Sequence, residues 1–174
     1  LWVRNAQGGN PQFLGNSSSL KKQYEELWEQ YRYSPDGRYR LFVQDTGSDK
    51  TNIFMELPQN ERVGAHWANQ ITKLNELSYD PAWSPDGGRI VFVSQDGGSD
   101  DIWVVNPDGS SARNLTPNKW EWDKHPSWSP DGTKIVFWSN RDGHKQLYVM
   151  DADGRNVRNI SQTDWDEYDP IWIR

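Results

Sequence analysis

Three loops of the sequence place indole or phenol rings beside carboxylates at matching positions. Asp80, His125 and Asp169 each stand three residues before an aromatic residue that ends a short apolar stretch. Aromatic rings supply large, stiff contact areas, and carboxylates supply charged acceptors, so this combination is typical of a binding surface. We therefore predict that these loops bind a ligand or a partner. The predicted binding residues are Tyr79, Asp80, Trp120, Trp122, His125, Trp165, Tyr168 and Asp169.

The sequence has no recognisable set of catalytic residues. It contains no Gly-x-Ser-x-Gly elbow, no His-Glu-x-x-His pair and no phosphate-binding loop. Cysteine is absent, which excludes disulfides and thiolate chemistry. His66, His125 and His144 stand at unlike places in the sequence pattern, which argues against a three-histidine metal site. We predict a protein that is not an enzyme and that needs no metal or cofactor.

Charge and composition exclude two kinds of partner. The net charge is −6, whereas nucleic acids and anionic membrane surfaces attract clustered Lys and Arg. No apolar run reaches the roughly 18 residues that a membrane-spanning helix needs. The 11 tryptophans and short apolar runs between Gly, Pro and Asp instead indicate a folded all-β protein with many tight turns.

A repeated tetrapeptide indicates which elements position the loops. Ser-Pro-Asp-Gly occurs at residues 34–37, 84–87 and 129–132, each time directly after an aromatic residue. The spacings are 50 and 45 residues, and a fourth copy begins at residue 169. Proline presets φ for the turn and glycine supplies its left-handed position. A unit of this length that recurs with short connections is typical of a propeller blade.

Each unit is predicted to form a four-stranded antiparallel blade. The predicted fold is an all-β β-propeller with about three to four blades present, as part of a six- or seven-bladed ring. Residues 1–17 form the last two strands of one blade, residues 18–78, 79–123 and 124–168 form three further blades, and residues 169–174 form a first strand. Either further residues of the same polypeptide or a second polypeptide completes the ring. The second turn of each unit places Gly8, Asn60, Gly109 and Gly154 at equivalent positions.

Two insertions and several tryptophans have more specific interpretations. Residues 19–31 have apolar side chains at helical spacing after a serine, which predicts a short amphipathic helix. This helix and the long segment 61–77 should share a face with the aromatic loops. Propeller blades also use tryptophan for packing, so the role of Trp120, Trp122 and Trp165 can be either binding or packing. The role of Asp80 and Asp169 can be either ligand binding or capping of backbone N–H groups. The predicted core tryptophans are Trp83, Trp103, Trp128 and Trp172.

Residues 79–87 read Tyr-Asp-Pro-Ala-Trp-Ser-Pro-Asp-Gly, and Ile-Val-Phe-Val-Ser, Ile-Trp-Val and Asn-Leu-Thr follow in order. This series resembles the WD-like repeat of TolB-like β-propellers, which is also found in tricorn-type and prolyl-oligopeptidase-type propellers. The resemblance implies a bacterial, extracytoplasmic protein, periplasmic or at the cell surface, that binds another protein as a scaffold or sensor. Two alternatives stay open: the gating propeller of a larger serine peptidase, and a carbohydrate-binding propeller whose tryptophans stack on sugar rings.

Overall fold

The computed structural model describes residues 2–4, 7 and 12–173, and the predicted turn glycine Gly8 lies outside them. Within these residues, one α-helix and thirteen strands are formed. The elements are β1 Trp2–Val3, β2 Gln12–Phe13, α1 Ser18–Tyr31, β3 Arg40–Gly47, β4 Lys50–Glu56, a 3₁₀ helix Gln59–Glu61, β5 Ala68–Gln70, β6 Ser78–Trp83, β7 Ile90–Ser94, β8 Asp101–Val105, β9 Arg113–Asn114, β10 Asp123–Trp128, β11 Lys134–Ser139, β12 Gln146–Asp151 and β13 Arg158–Asn159. No helix in the described part of the chain is long and apolar enough to cross a membrane.

The strands form antiparallel sheets in sequence order. β3-β4-β5 form a three-stranded sheet, and β6-β7-β8-β9 and β10-β11-β12-β13 form two four-stranded sheets. We call these sheets blade 1, blade 2 and blade 3. β1 and β2 pair separately as a two-stranded sheet. The prediction of an all-β fold built from antiparallel propeller blades is confirmed.

The repeated tetrapeptide forms the same hydrogen-bonded turn in all three blades. In blade 2 the Gly87 amide donates to the Ser84 carbonyl, and the Arg89 amide donates to the Ser84 hydroxyl. The Ser84 hydroxyl itself donates to Asp86 at 2.5 Å. Gly87 has φ of 70°, which a residue with a side chain rarely adopts. The turn chemistry read from the sequence therefore fixes where the first and second strands of each unit reverse.

Successive blades bury their faces against each other. Leu41 and Ile53 of blade 1 pack with Ile90 and Phe92 of blade 2. On the opposite side of blade 2, Val91 and Val93 pack in one cluster with Phe137 of blade 3. Alternate residues of β7 thus face different neighbours, because side chains alternate across a strand. This is why both faces of that strand are apolar in the sequence.

Two predicted first strands differ from expectation. Blade 1 has three strands, and only an isolated bridge between Tyr33 and Arg40 stands where its first strand was predicted. Helix α1 continues to Tyr31, with Arg32 as its C-terminal cap, which leaves too little extended chain for a ladder. Residues 169–173 are also not a strand, because a strand requires backbone pairing with a neighbouring strand and none of the described strands pairs with them.

The helix prediction is confirmed, with one residue added at its start. α1 begins at Ser18, and Ser17 caps it by accepting a hydrogen bond from the Leu20 amide at 3.3 Å. Of the predicted core tryptophans, Trp83 and Trp128 are buried. Trp103 and Trp172 are only half-buried.

Candidate binding site at the loop end of the blades

The antiparallel order of the strands defines two ends of the blades. The repeated Ser-Pro-Asp-Gly turns and the turns after the third strands lie at one end, which we call the turn end. The loops that enter the first strands and the loops between second and third strands lie at the other, which we call the loop end. The main chain of Trp122 binds Asn140, and the loop after β13 binds Lys145, so both loops adjoin the connection between β11 and β12.

Three predicted binding residues meet at the loop end. The His125 Nδ1 lies 3.4 Å from a carboxylate oxygen of Asp80, and the His125 Nε2 lies 3.2 Å from a carboxylate oxygen of Asp169. These residues come from β6, from β10 and from the segment after β13. The imidazole therefore connects blade 2, blade 3 and the C-terminal segment. Their shared repeat position brings them together, as the sequence pattern predicted, whereas ligand binding by them stays a prediction.

The backbone is strained at each of these three residues. Asp80, His125 and Asp169 have φ of 50°, 50° and 52°, in the left-handed region that residues other than glycine seldom adopt. Each is followed by proline, and the register of β6 with β7 and of β10 with β11 shifts at this point. Such a bulge turns side chains away from the sheet and toward the neighbouring first strands. Strained positions of this kind concentrate at functional sites.

Helix α1 covers this cluster, which the sequence alone did not reveal. The ring of Trp28 meets the His125 ring edge-on with 5.7 Å between centroids. The Tyr24 hydroxyl donates a hydrogen bond of 2.7 Å to the Asp169 carbonyl oxygen. The apolar positions of the helix were visible in the sequence, but the surface they contact was not. Trp28 and Tyr24 therefore join the candidate site.

Covering the cluster changes its electrostatics. Burial raises the pKa of the Asp80 carboxyl, although His125 opposes this shift. Burial also raises the pKa of the Tyr24 hydroxyl, which stays neutral and able to donate at any physiological pH. The cluster is thus a half-buried polar patch beside an indole, where an added hydrogen bond or charge has a larger effect than on an open surface.

A second group of predicted residues surrounds Lys124. Its ammonium lies 2.8 Å from Asp100 and stands 5.7 Å from the centre of the Tyr79 ring and 5.3 Å from that of Trp122. The Tyr79 hydroxyl donates to Asp100 at 2.6 Å. Burial raises the pKa of the Asp100 carboxyl, but hydrogen bonds from Lys124, Tyr79 and Gln95 outweigh it, so the pKa lies below its usual range. These contacts hold Trp122 in place at the loop end.

The remaining predicted residues are exposed. Trp120 is 83% exposed, Trp165 is 60% exposed, and Trp122 and Tyr168 are also exposed. These rings do not pack between the described blades, and binding by them stays a prediction. Lys145 lies 5.1 Å from the centre of the Tyr168 ring, a contact that orients this ring beside the loop.

A cleft of about 890 Å³ lies between α1, blade 3 and the C-terminal segment. Trp165 and Tyr168 line it together with apolar residues of α1 and of β11 and β12, such as Leu27, Val136 and Leu147. Glu167 lines it as well, and an ion pair of 2.8 Å joins Glu167 to Arg4. This volume is within the range of small-molecule and peptide-side-chain sites. In residues 2–4, 7 and 12–173, no three His, Asp or Glu side chains are grouped to hold a metal ion.

Asp101, at the start of β8, provides a test of how burial changes the pKa of a carboxyl at the loop end. It is fully buried, and burial raises its pKa to about 6. Between pH 4 and 6 the unfolded chain loses this proton before the folded chain does, so the folded state loses stability as pH rises. Relative to Asp101→Asn, the wild-type protein should lose about 2 kcal/mol of unfolding free energy across that window. Urea denaturation of both proteins at several pH values measures this, and a constant difference would contradict it.

Stacked four-stranded antiparallel sheets with repeated turns at one end define a β-propeller. The chain belongs to the TolB beta propeller domain family, whose model matches residues 3–173. The family resemblance stated from the sequence is confirmed.

Individual relatives and solved structures match parts of this chain and parts of their own length. The Tol-Pal system protein TolB of Anaeromyxobacter dehalogenans is 42% identical over 116 residues, which are 67% of this chain and 24% of that protein. The peptidase YuxL of Bacillus subtilis is 30% identical over 93 residues, 49% of this chain and 13% of that protein. The structure of a putative TolB from Agrobacterium tumefaciens superposes with a TM-score of 0.63 at 28% identity, covering 74% of this chain and 47% of that one. The chain thus spans about a quarter of the length of the TolB protein it matches.

Proposed function

We propose that this chain is a non-catalytic, protein-binding propeller that acts outside the cytoplasm and that uses its loop end as the binding surface. The observation that carries the proposal is the exposure of Trp120, Trp122, Trp165 and Tyr168 at one end of the blades. Exposed aromatic rings on loops held by rigid sheets are the residues that most often dominate the energy of protein interfaces.

The polar groups at this end support the choice of a protein as partner. The loop end offers carboxylates at Asp80 and Asp169. It also offers the ammonium groups of Lys124, 5.3 Å from the centre of the Trp122 ring, and of Lys145, 5.1 Å from the centre of the Tyr168 ring. An aromatic patch with charges of both signs at its edge matches the composition of protein interfaces, which have an apolar centre and a polar rim. The relative named as a Tol-Pal system protein supports a periplasmic location.

Alanine substitution of the exposed indoles tests the surface. Trp120→Ala and Trp165→Ala should each weaken capture of the partner from a bacterial envelope extract. For at least one of the two variants the binding free energy should fall by about 2 kcal/mol, which is about 30-fold in affinity. Trp67→Ala is the matched control, because Trp67 is an exposed indole beside β5 whose main chain bonds to Leu57 at the turn end. Equal capture by all four proteins in a quantitative pull-down would contradict the proposal.

A second candidate function is a propeller that controls access to a peptidase domain. The 30% identity to YuxL, a peptidase, favours it. In this case the loop end would face the peptidase domain, and the exposed rings would contact that domain instead of a separate protein. Sequencing of the coding region around this chain distinguishes the two, because this candidate requires a hydrolase nucleophile elbow in the same polypeptide.

A further inference from the structure

A second cleft lies at the turn end, between blades 1 and 2. Its volume is about 590 Å³, and it is remote from the loop surface described above. Trp83, Met55 and Leu57 form apolar parts of its wall, while Tyr39 and Glu61 are among its polar residues. Three turn carboxylates complete the polar lining: Asp36, Asp86 and Asp108.

The junction between blades 2 and 3 is an internal reference for this cleft. We call the junction between blades 1 and 2 the first junction and that between blades 2 and 3 the second junction. A Cβ placed on Gly87 would lie 3.4 Å from Pro35 in the first junction, and a Cβ placed on Gly132 would lie 3.5 Å from Pro85 in the second junction. The repeated turns therefore stack with the same spacing in both junctions. Residues at equivalent repeat positions can be compared directly between them.

In the second junction, a guanidinium fills the equivalent place. The Arg89 guanidinium lies over the Trp128 ring, 4.8 Å from its centre, and donates to the Ala152 carbonyl oxygen at 3.2 Å. The Trp128 Nε1 donates to the Ala82 carbonyl oxygen at 3.3 Å. Both the face and the N–H group of this indole thus have a partner from a neighbouring blade.

In the first junction, both of these partners are missing. Tyr39 takes the place of Arg89, and its hydroxyl donates to Glu61 at 3.0 Å. Trp83 takes the place of Trp128, and among the described residues no cation lies over its ring. The indole is only 5% exposed, yet its Nε1 has no hydrogen-bond partner. The Nε1 atoms of Trp103, Trp138 and Trp172 also lack a partner, so the cation missing over the Trp83 ring is what distinguishes this junction from the second one.

We propose that this cleft binds a guanidinium group, namely the side chain of an arginine in a partner polypeptide. The ligand guanidinium would lie over Trp83 as Arg89 lies over Trp128. Carboxylates accept the forked N–H groups of arginine with favourable geometry, and an indole face attracts the cation.

The charges around the cleft agree with this ligand. Hydrogen bonds from Ser34 and Ser84 lower the pKa values of Asp36 and Asp86, so both carboxylates are ionised. Arg38, which is half-exposed, is already paired with Glu61, and Arg62, which donates to the Leu57 carbonyl oxygen, is paired with Glu56. The Arg38 guanidinium stands 5.4 Å from the centre of the Tyr39 ring and not over Trp83. An incoming cation therefore meets an excess of negative charge, and the lining disfavours a free amino-acid carboxylate.

Isothermal titration with N-acetyl-L-argininamide, a mimic of arginine within a peptide, tests the proposal. We expect a dissociation constant of about 1 mM, with binding at least about 10-fold weaker for the neutral analogue N-acetyl-L-citrullinamide and about 3-fold weaker for free L-arginine. Free arginine binding more tightly than the blocked form would overturn the assignment to a polypeptide. Equal binding of the citrulline analogue, or no binding of any probe up to about 20 mM, would overturn the guanidinium site.

Two variants locate the binding. Tyr39→Arg gives blade 1 the residue that blade 2 has, so its own guanidinium should fill the cleft and abolish binding of the argininamide without lowering the thermal midpoint. Glu61→Gln should weaken binding about 3-fold, because it removes one charged acceptor from a partly exposed position. Unchanged binding in a folded Tyr39→Arg protein would place the ligand elsewhere, and unchanged binding in Glu61→Gln would do so even if the first variant failed to fold.

Discussion

Phe137→Ala is expected to lower the free energy of unfolding by about 3 to 5 kcal/mol. Phe137 is fully buried in the cluster between blades 2 and 3 and lies 5.8 Å from the Tyr148 ring, centre to centre. Removing the ring leaves a cavity between two stiff sheets, which cannot close around it because their turns hold them in register. Urea denaturation followed by circular dichroism measures the change.

The matched control for this prediction is Phe42→Ala, at the same repeat position in blade 1. Phe42 is only half-buried, and its ring contacts Phe54 and Trp67 rather than a preceding blade. Its loss should cost less than half as much, because no inter-blade cavity forms. Equal losses for the two variants would show that burial between blades is not what stabilises this position.

Gly154→Ala should cost about 2 kcal/mol, a large effect for a single methyl group. Gly154 has φ of 86°, and a Cβ placed on it would lie 2.9 Å from the backbone oxygen of Leu115 in the preceding blade. The backbone of blade 2 cannot move away without separating from the blade. The added methyl group therefore strains the turn and the junction together.

Gly143→Ala separates these two contributions. Gly143 also has a positive φ, of 93°, but a Cβ there would have no atom within 4 Å. This variant carries the backbone strain alone, about 1 kcal/mol. A thermal melt in which Gly143→Ala loses as much stability as Gly154→Ala would contradict the close approach of successive blades.

The regular part of the fold could be predicted because each signal was local and was repeated. The turns at residues 84–87 and 129–132 depend on serine, proline, aspartate and glycine in adjacent positions. The apolar residues on both faces of β7 required a neighbour on each side. Repetition of the same signals at near-constant spacing then identified the blade.

The first strand of blade 1 and the position of the helix could not be predicted in the same way. The aromatic residue Tyr33 and its following turn match the repeat, yet α1 extends so far that only a bridge to Arg40 remains. The contact of Trp28 with His125 joins residues almost a hundred positions apart, and no local pattern encodes it. Such contacts depend on tertiary packing, which overrides local preference.

The candidate site was predictable in its composition but not in its geometry. The shared repeat position brought Asp80, His125 and Asp169 together as expected. The separation of Trp165, which lines the apolar cleft, from Trp122, which contacts Lys124, depends on loop conformations that the repeat does not specify. The exposure of these rings is the observation on which the proposed binding role rests.

Site-specific photo-cross-linking tests the central claim, partner binding at the loop end, most directly. A photoreactive phenylalanine analogue replaces Trp120 or Trp165 at the loop end, and Asp131 or Arg155 at the turn end, and each protein is irradiated in a bacterial envelope extract. We predict that both loop-end positions form an adduct with the same protein and that neither turn-end position forms an adduct with that protein. Adducts formed at positions 131 and 155 but not at positions 120 and 165 would contradict the claim.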